Sequence, residues 1–188
     1  FAELVAGLEA AGLAERTVVV IWGDHDAGLE WSPRLAALAG QRHDAAGWYL
    51  SQQVPLLIRV PGAPGLAGAL DLPAGHQDVA PTVLALLGVD PAAYPFVGRN
   101  LLGSPGDQPV VGEYQCWQDG GHLFLQRTGR LEDGDCFELP GVRPVDPAAC
   151  AAGFEAARRQ VEVSRLVLEH DLQQEIRERL RGSAGAGP

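Results

Sequence analysis

The sequence has no methionine and no lysine, and its fourteen basic residues are all arginine. It begins at Phe1, inside what reads as a helix in mid-course over residues 1–13 (FAELVAGLEAAGL), with Phe1, Leu4, Val5 and Leu8 on one face. The chain is therefore read as a fragment of a longer polypeptide, with targeting and membrane segments expected upstream. The arginines form no basic stripe, and twenty-four acidic residues set the formal net charge at −10. Such a balance argues against nucleic acid as a partner. It does not exclude a phosphate-bearing substrate, because a bound metal supplies positive charge locally. No apolar run reaches the roughly 18 residues of a membrane span, and no basic region followed by a short apolar one marks a signal peptide. Cysteine is scarce. Cys116, Cys136 and Cys150 contain no C-x-x-C pair, which argues against a structural zinc site. Two readings stay open: buried thiols of an intracellular protein, or a Cys136–Cys150 bridge across a Pro/Gly-rich stretch in an oxidising compartment.

What is present is ordinary globular composition, 46% hydrophobic and 20% charged, in a chain long enough for a real core. Residues 17–21 (TVVVI) and 55–60 (PLLIRV) are unbroken apolar runs. They read as neighbouring central strands, the first as a buried parallel one. Ser32 caps a short helix with Pro33 at its first position and Gly40 as its stop. Residues 78–87 (DVAPTVLALL) form another helix, with Gly88 past its end. Alternating helices and strands predict an α/β layered sheet over residues 1–108. Short strand candidates at 109–114, 122–127 and 135–139 predict a small antiparallel β appendage over 109–146. A stripe through Phe154, Val161, Leu168, Leu172, Ile176 and Leu180 predicts one long C-terminal helix within 147–182, followed by a structureless tail over 183–188.

The strongest chemical signal is IWGDHDAG at residues 21–28. A strand ends and presents Asp24 and His25 at its C-terminal edge, where ligands bind in open α/β sheets. Adjacent carboxylate and imidazole suit a divalent metal such as zinc or manganese. The competing reading is a turn with an Asx cap.

Four blocks extend the signal: VVVIWGDHDAG, QVPLLIRVPG, HQDVAPTVLALLGVDP and FVGRNLLG. In that order and spacing they resemble the C-terminal blocks of sulfatase-like phosphoglycerol transferases, the lipoteichoic acid synthase family of the alkaline phosphatase superfamily. The later Cys136-Phe137-Glu138 stretch, Cys150 and the terminal helix resemble the tail of the same proteins, so the likeness covers most of the chain. It implies an α/β/α alkaline-phosphatase-like core, present here in part. It implies a Thr or Ser nucleophile near the start of the domain, outside this chain, and one divalent metal, manganese or magnesium with zinc as a further choice. Asp24 and His25 would be two of its ligands. The implied substrate is a phosphate ester, including a phosphoglycerol lipid, at the extracytoplasmic face of a bacterial membrane contacted through upstream segments. The whole protein is expected to be an enzyme, and residues 1–188 alone to be inactive. In that compartment Cys136 and Cys150 are expected to bridge, leaving Cys116 as the odd thiol.

The same fold also carries sulfatases and phosphodiesterases, and an inactive accessory module is a third reading. The nucleophile motif that separates them is not in the chain, although His25 after Asp24 favours the transferase over true sulfatases, which more often show Asn there. His43, His76 and Arg99 are candidate substrate contacts, each weighed against a surface-loop or packing role. His122 and His170 read as structural or solvent-exposed. Asp26 reads as a turn residue or a partner supporting the ligands, and Asp78 as a helix cap.

Overall fold

The structure, a computed structural model, describes residues 1–103 and 108–184. The chain divides into two compact units, Phe1–Asp71 and the remainder from Leu72. The division falls inside the Gly/Pro-rich loop after the second strand.

In the first unit, helix α1 (Ala2–Ala10) leads through a short 3-10 turn to strand β1 (Val19–Trp22). The connector then carries α2 (Pro33–Leu38) and α3 (Ala45–Ser51) before β2 (Leu56–Arg59). Ser32 caps α2 as expected, its Oγ accepting from Leu35 N–H at 3.2 Å. Helix α3 has no counterpart among the sequence expectations. Asp44 caps it by accepting from Gly47 N–H at 2.8 Å. A Cβ at Gly47 would lie 1.9 Å from the Arg42 carbonyl oxygen, so only glycine fits that first turn.

β1 and β2 are neighbours, but they run antiparallel, with Val19 opposite Arg59 and Trp22 opposite Leu56. They form a two-stranded sheet among the described residues. The parallel, buried placement expected of β1 is corrected on both counts. An unbroken apolar run reports that a strand suits burial on both faces and says nothing of direction. The connector leaves and returns at the same end of the ribbon, where Gly23 N–H donates to the Pro55 carbonyl at 3.1 Å. Ile21 and Leu57, directly opposite each other, stay exposed.

The second unit opens with a 3-10 turn at His76–Asp78 running into α4 (Val79–Leu86), stopped by Gly88 at φ 75°. A five-stranded antiparallel meander follows: β3 (Val110–Val111), β4 (Trp117–Gln118), β5 (His122–Leu125), β6 (Asp135–Glu138) and β7 (Arg143–Val145). The appendage is thus antiparallel as expected. β4 and β7 were not anticipated, being two and three residues long and too short to show alternation. The expected single C-terminal helix is two, α5 (Ala151–Glu169) and α6 (Gln173–Ala184). Asp171 sits at φ 52°, which breaks the helical path, and Leu168 just before it is exposed despite its place in the apolar stripe. Residues 183 and 184, expected in the tail, belong to α6, and 185–188 lie outside the described residues.

The core of this unit is Trp117, Phe124, Cys136, Cys150, Phe154 and Ala157. Trp117 stacks on Phe124 at 5.9 Å, and Phe124 meets Phe154 edge-on at 5.4 Å. Two glycines make room for the rings. A Cβ on Gly134 would lie 2.1 Å from Phe124, and one on Gly153 would lie 2.2 Å from Trp117. A disulfide joins Cys136 on β6 to Cys150 at the head of α5, tying the sheet to the helix that covers it, while Cys116 is a buried free thiol.

Two outcomes are expected of this core. Thiol titration of the oxidised protein counts one thiol, and only after unfolding. Replacing Cys136 and Cys150 together by alanine lowers stability by about 3 kcal/mol, the chain-entropy value for a loop of roughly this size, read as a lower denaturant midpoint.

Candidate functional site

The local structure at residues 22–28 follows from one close approach. A Cβ at Gly23 would sit 2.7 Å from Val54 Cβ, so the chain leaving β1 presses against the lead-in to β2. The next two residues are thrown outward past the strand end. The side chains of Asp24 and His25 are 86% and 78% exposed, and His25 Nε2 faces Asp24 Oδ1 at 3.7 Å. His25 Nδ1 lies 2.6 Å from the Asp26 carbonyl oxygen. A carbonyl only accepts, so the proton is assigned to Nδ1. In the neutral ring this leaves the Nε2 lone pair directed beside the Asp24 carboxylate. The Asp26 carboxylate folds back to accept from Gly28 N–H at 3.0 Å, with Gly28 at φ 60°. Asx-turn chemistry and a two-donor pair are therefore both present in the motif, on different residues.

The Asp26 carbonyl first, and the Asp24 carboxylate second, raise the pKa of His25 above its ordinary value. The folded chain thus favours the imidazolium. Its contribution to stability is fully present below about 6.5 and is lost as the pH rises through the elevated value. Solvent screens a pair this exposed. The chemical consequence is competition, since any cation taken up at Nε2 must displace a proton held more firmly than usual.

Among the described residues, no group of three or more His, Cys, Asp and Glu side chains is placed to hold a metal ion. The pair offers two donors. His43 bonds elsewhere. Its Nε2–H donates to the Trp31 carbonyl at 3.1 Å and its ring lies 6.4 Å from the Trp31 indole, which fixes it on the connector.

His76 and Arg99 belong to the second unit: His76 starts the 3-10 turn that ends at Asp78, and Arg99 meets Asp78, which is 3% exposed, through its backbone. Asp78 Oδ2 accepts from Gly75 N–H at 2.9 Å and Oδ1 from Arg99 N–H at 2.8 Å. Thr82, fully buried, donates to the Asp78 carbonyl at 2.6 Å and accepts from Leu101 N–H at 3.0 Å. Gly98 permits the approach, because a Cβ there would lie 1.9 Å from the Gln77 carbonyl oxygen. The Arg99 guanidinium turns back to donate to the Pro73 carbonyl at 2.9 Å. Asp78 is expected as the cap of α4, but its carboxylate bonds backward to Gly75 and across to Arg99 and makes no cap bond to α4. This is a buried polar clamp holding residues 73–101 together. His122 stands 3.8 Å from Asp119 at a hairpin turn, and His170 caps α5.

The family model described as Sulfatase matches residues 1–89, the stretch that contains β1, the Asp24–His25 pair, β2 and α4. Over those residues the chain is similar to the sulfatase family. The chain is 36% identical over 105 residues to lipoteichoic acid synthase 1 of Bacillus subtilis, an overlap of 55% of this chain and 16% of that protein. It is 29% identical over 164 residues to the lipoteichoic acid synthase of Staphylococcus aureus strain USA300, an overlap of 85% of this chain and 23% of that protein. The match therefore spans less than a quarter of the length of either relative.

Sequence reading missed one contact of this segment. The Gln52 side chain, at the end of α3, reaches the Asp26 carboxylate. Nothing in the local pattern around Gln52 marks it, because its partner lies on the other side of the connector.

Two measurements follow. In a pH titration followed by NMR, His25 is expected to have its midpoint above 6.5, and Asp24→Asn is expected to lower it. Asp78→Ala strands two part-buried N–H groups and is expected to cost about 2 kcal/mol. Asp78→Asn, with one accepting oxygen, is expected to cost less, both read as denaturant midpoints at unchanged slope.

Proposed function

We propose that the chain is part of a metal-dependent, sulfatase-like enzyme that transfers or hydrolyses a phosphate ester, of the phosphoglycerol-transferase type. In this reading Asp24 and His25 give two ligands to one divalent cation. The observation that carries it is the His25 ring, tied through Nδ1 so that Nε2 faces the Asp24 carboxylate at 3.7 Å beyond the end of β1. One carboxylate oxygen and one imidazole nitrogen fit manganese or zinc better than magnesium, which prefers oxygen donors. The bound cation would lower the pKa of the attacking hydroxyl and neutralise charge on the phosphate oxygens.

This chain's own contribution is positional. Asp24 supplies negative charge at a strand end, and His25 supplies a neutral donor whose orientation the Asp26 carbonyl holds. The remaining ligands and the nucleophile belong, in this proposal, to polypeptide beyond residues 1–188, so these residues alone do not catalyse. The uncovered apolar faces of β1 and β2, with Ile21, Trp22 and Leu57 exposed, support further polypeptide packing on the ribbon.

The substrate we assign is a phosphoglycerol lipid or a related phosphate ester at the outer face of a bacterial membrane, in line with the names of the relatives. The buried Cys136–Cys150 disulfide supports an oxidising compartment. No helix among the described residues is long and apolar enough to cross a membrane, so membrane attachment falls to other segments in this reading. A second reading, hydrolysis of a sulfate ester, is favoured by the family whose model matches residues 1–89.

In the whole protein supplied with manganese, Asp24→Ala and His25→Ala are each expected to lower turnover of a phosphoglycerol lipid by more than about a hundredfold, each removing a metal ligand. Measured without manganese, the melting temperature is expected to change little, since neither side chain is buried. Turnover of a nitrophenyl sulfate with none of the phospholipid would select the second reading. Near-normal rates in both variants would reject the ligand assignment.

A further inference from the structure

The Asp24–His25 pair is exposed and lies on a loop without a strand partner, so burial does not hold the imidazole in place. Its orientation rests on one bond, from Nδ1–H to the Asp26 carbonyl at 2.6 Å. What holds that carbonyl is a chain of hydrogen bonds reaching back to α3. Trp48 and Gln52 are four residues apart along α3 and its cap, hence on one face. With the Gln52 amide turned so that its nitrogen faces Asp26, Nε2–H donates to Asp26 Oδ2 at 2.9 Å and Oε1 accepts from Trp48 Nε1–H at 3.2 Å. The opposite orientation gains a 3.4 Å bond to the Trp48 carbonyl but sets the amide oxygen against the carboxylate at the shorter distance. Matching donor to acceptor at both ends assigns the first orientation. The same Asp26 Oδ2 accepts from Gly28 N–H at 3.0 Å, so the carboxylate is gripped from two sides.

We propose that Gln52 is a positioning residue for the Asp24–His25 pair: held by the Trp48 indole, its amide grips the Asp26 carboxylate and thereby fixes the backbone carbonyl that takes the His25 Nδ1 proton. This rests on the reading of the pair as metal ligands and adds the residue that keeps the Nε2 lone pair aimed. The line of force runs Trp48, Gln52, Asp26, His25. It joins the helix of the connector to the end of β1, two elements that local sequence gives no reason to link. Bonds of this kind behind a ligating histidine select its tautomer and ring direction.

The test uses the chain with nitrogen-15-labelled histidine, free of metal, at a pH where His25 is neutral. Long-range proton–nitrogen NMR reads the tautomer directly. The wild-type ring is expected to be mostly Nδ1–H. Gln52→Glu keeps the size but loses the donor and repels Asp26, and it is expected to turn the majority to Nε2–H, the form a free histidine side chain prefers. Gln52→Ala should do the same, and Trp48→Phe should move it in the same direction by less. A side chain that merely fills space would tolerate Gln52→Glu. If His25 stays mostly Nδ1–H in Gln52→Glu and Gln52→Ala with α3 intact by backbone shifts, the proposal is overturned. Should the glutamate variant unfold α3, Gln52→Ala and Trp48→Phe decide by the same readout. Manganese added to the wild-type chain separates the two ideas. Selective broadening of the His25 signals, weakened about tenfold in affinity by Gln52→Ala, supports both. A tautomer change without any manganese broadening in the wild-type chain keeps the clamp, and near-normal turnover of Asp24→Ala and His25→Ala in the whole protein then rejects the metal reading.

Discussion

The contact on which the candidate site depends is the closure of the β1–β2 ribbon at Gly23. The Gly23 N–H bonds the Pro55 carbonyl, and the missing side chain lets the backbone approach Val54 to a distance that any other residue would forbid. With the two chain segments locked there, the polypeptide leaving β1 must turn away from the ribbon. Asp24 and His25 are the first residues beyond the lock, so they project into solvent. In a continuing strand, neighbouring side chains point to opposite faces and two adjacent donors diverge. The turn is what allows them to converge.

The two units hold themselves together by different means. In the first, the buried apolar residues are Ala14, Ala36 and Ala46, and larger side chains such as Trp22, Leu38 and Leu57 keep much of their surface in water. Small residues let backbone approach backbone but bury little area, so capping bonds at Ser32 and Asp44 and the closure at Gly23 carry much of the local order. The second unit instead closes three aromatic rings and a disulfide between a sheet and a helix, with glycines set where rings need space. Its buried charge, Asp78, is acceptable because both carboxylate oxygens receive backbone N–H groups. The chemistry-bearing pair thus sits in the more lightly packed unit, in keeping with a loop that works by presenting donors rather than by enclosing them.

Much of this was legible in the residues, and the misses have physical causes. Ser32-Pro33, Gly40 and Gly88 marked helix ends correctly because capping and positive φ are local properties. The apolar runs marked β1 and β2 but not their mutual direction, since burial preference carries no polarity. The helix stripe ran straight through Asp171, because an αL residue in a polar stretch leaves apolar periodicity almost intact. Helix α3 was invisible because Gly47, needed to clear the Arg42 carbonyl, weakens the very pattern that would announce it.

By itself the sequence determined which residues have the chemistry: a carboxylate and an imidazole side by side after a strand, in an order of blocks that resembles one family. It also determined the aromatic, glycine and cysteine inventory of the second core. The tertiary structure alone decided that β1 and β2 run antiparallel, that Asp78 serves Gly75 and Arg99, and that Gln52 reaches Asp26 across the connector. The reason is range. Caps, turns and strand ends are settled within a few residues, whereas a hydrogen bond between residues 26 and 52 exists only after α3 has packed back against the end of β1, and no local pattern records where a helix will come to rest.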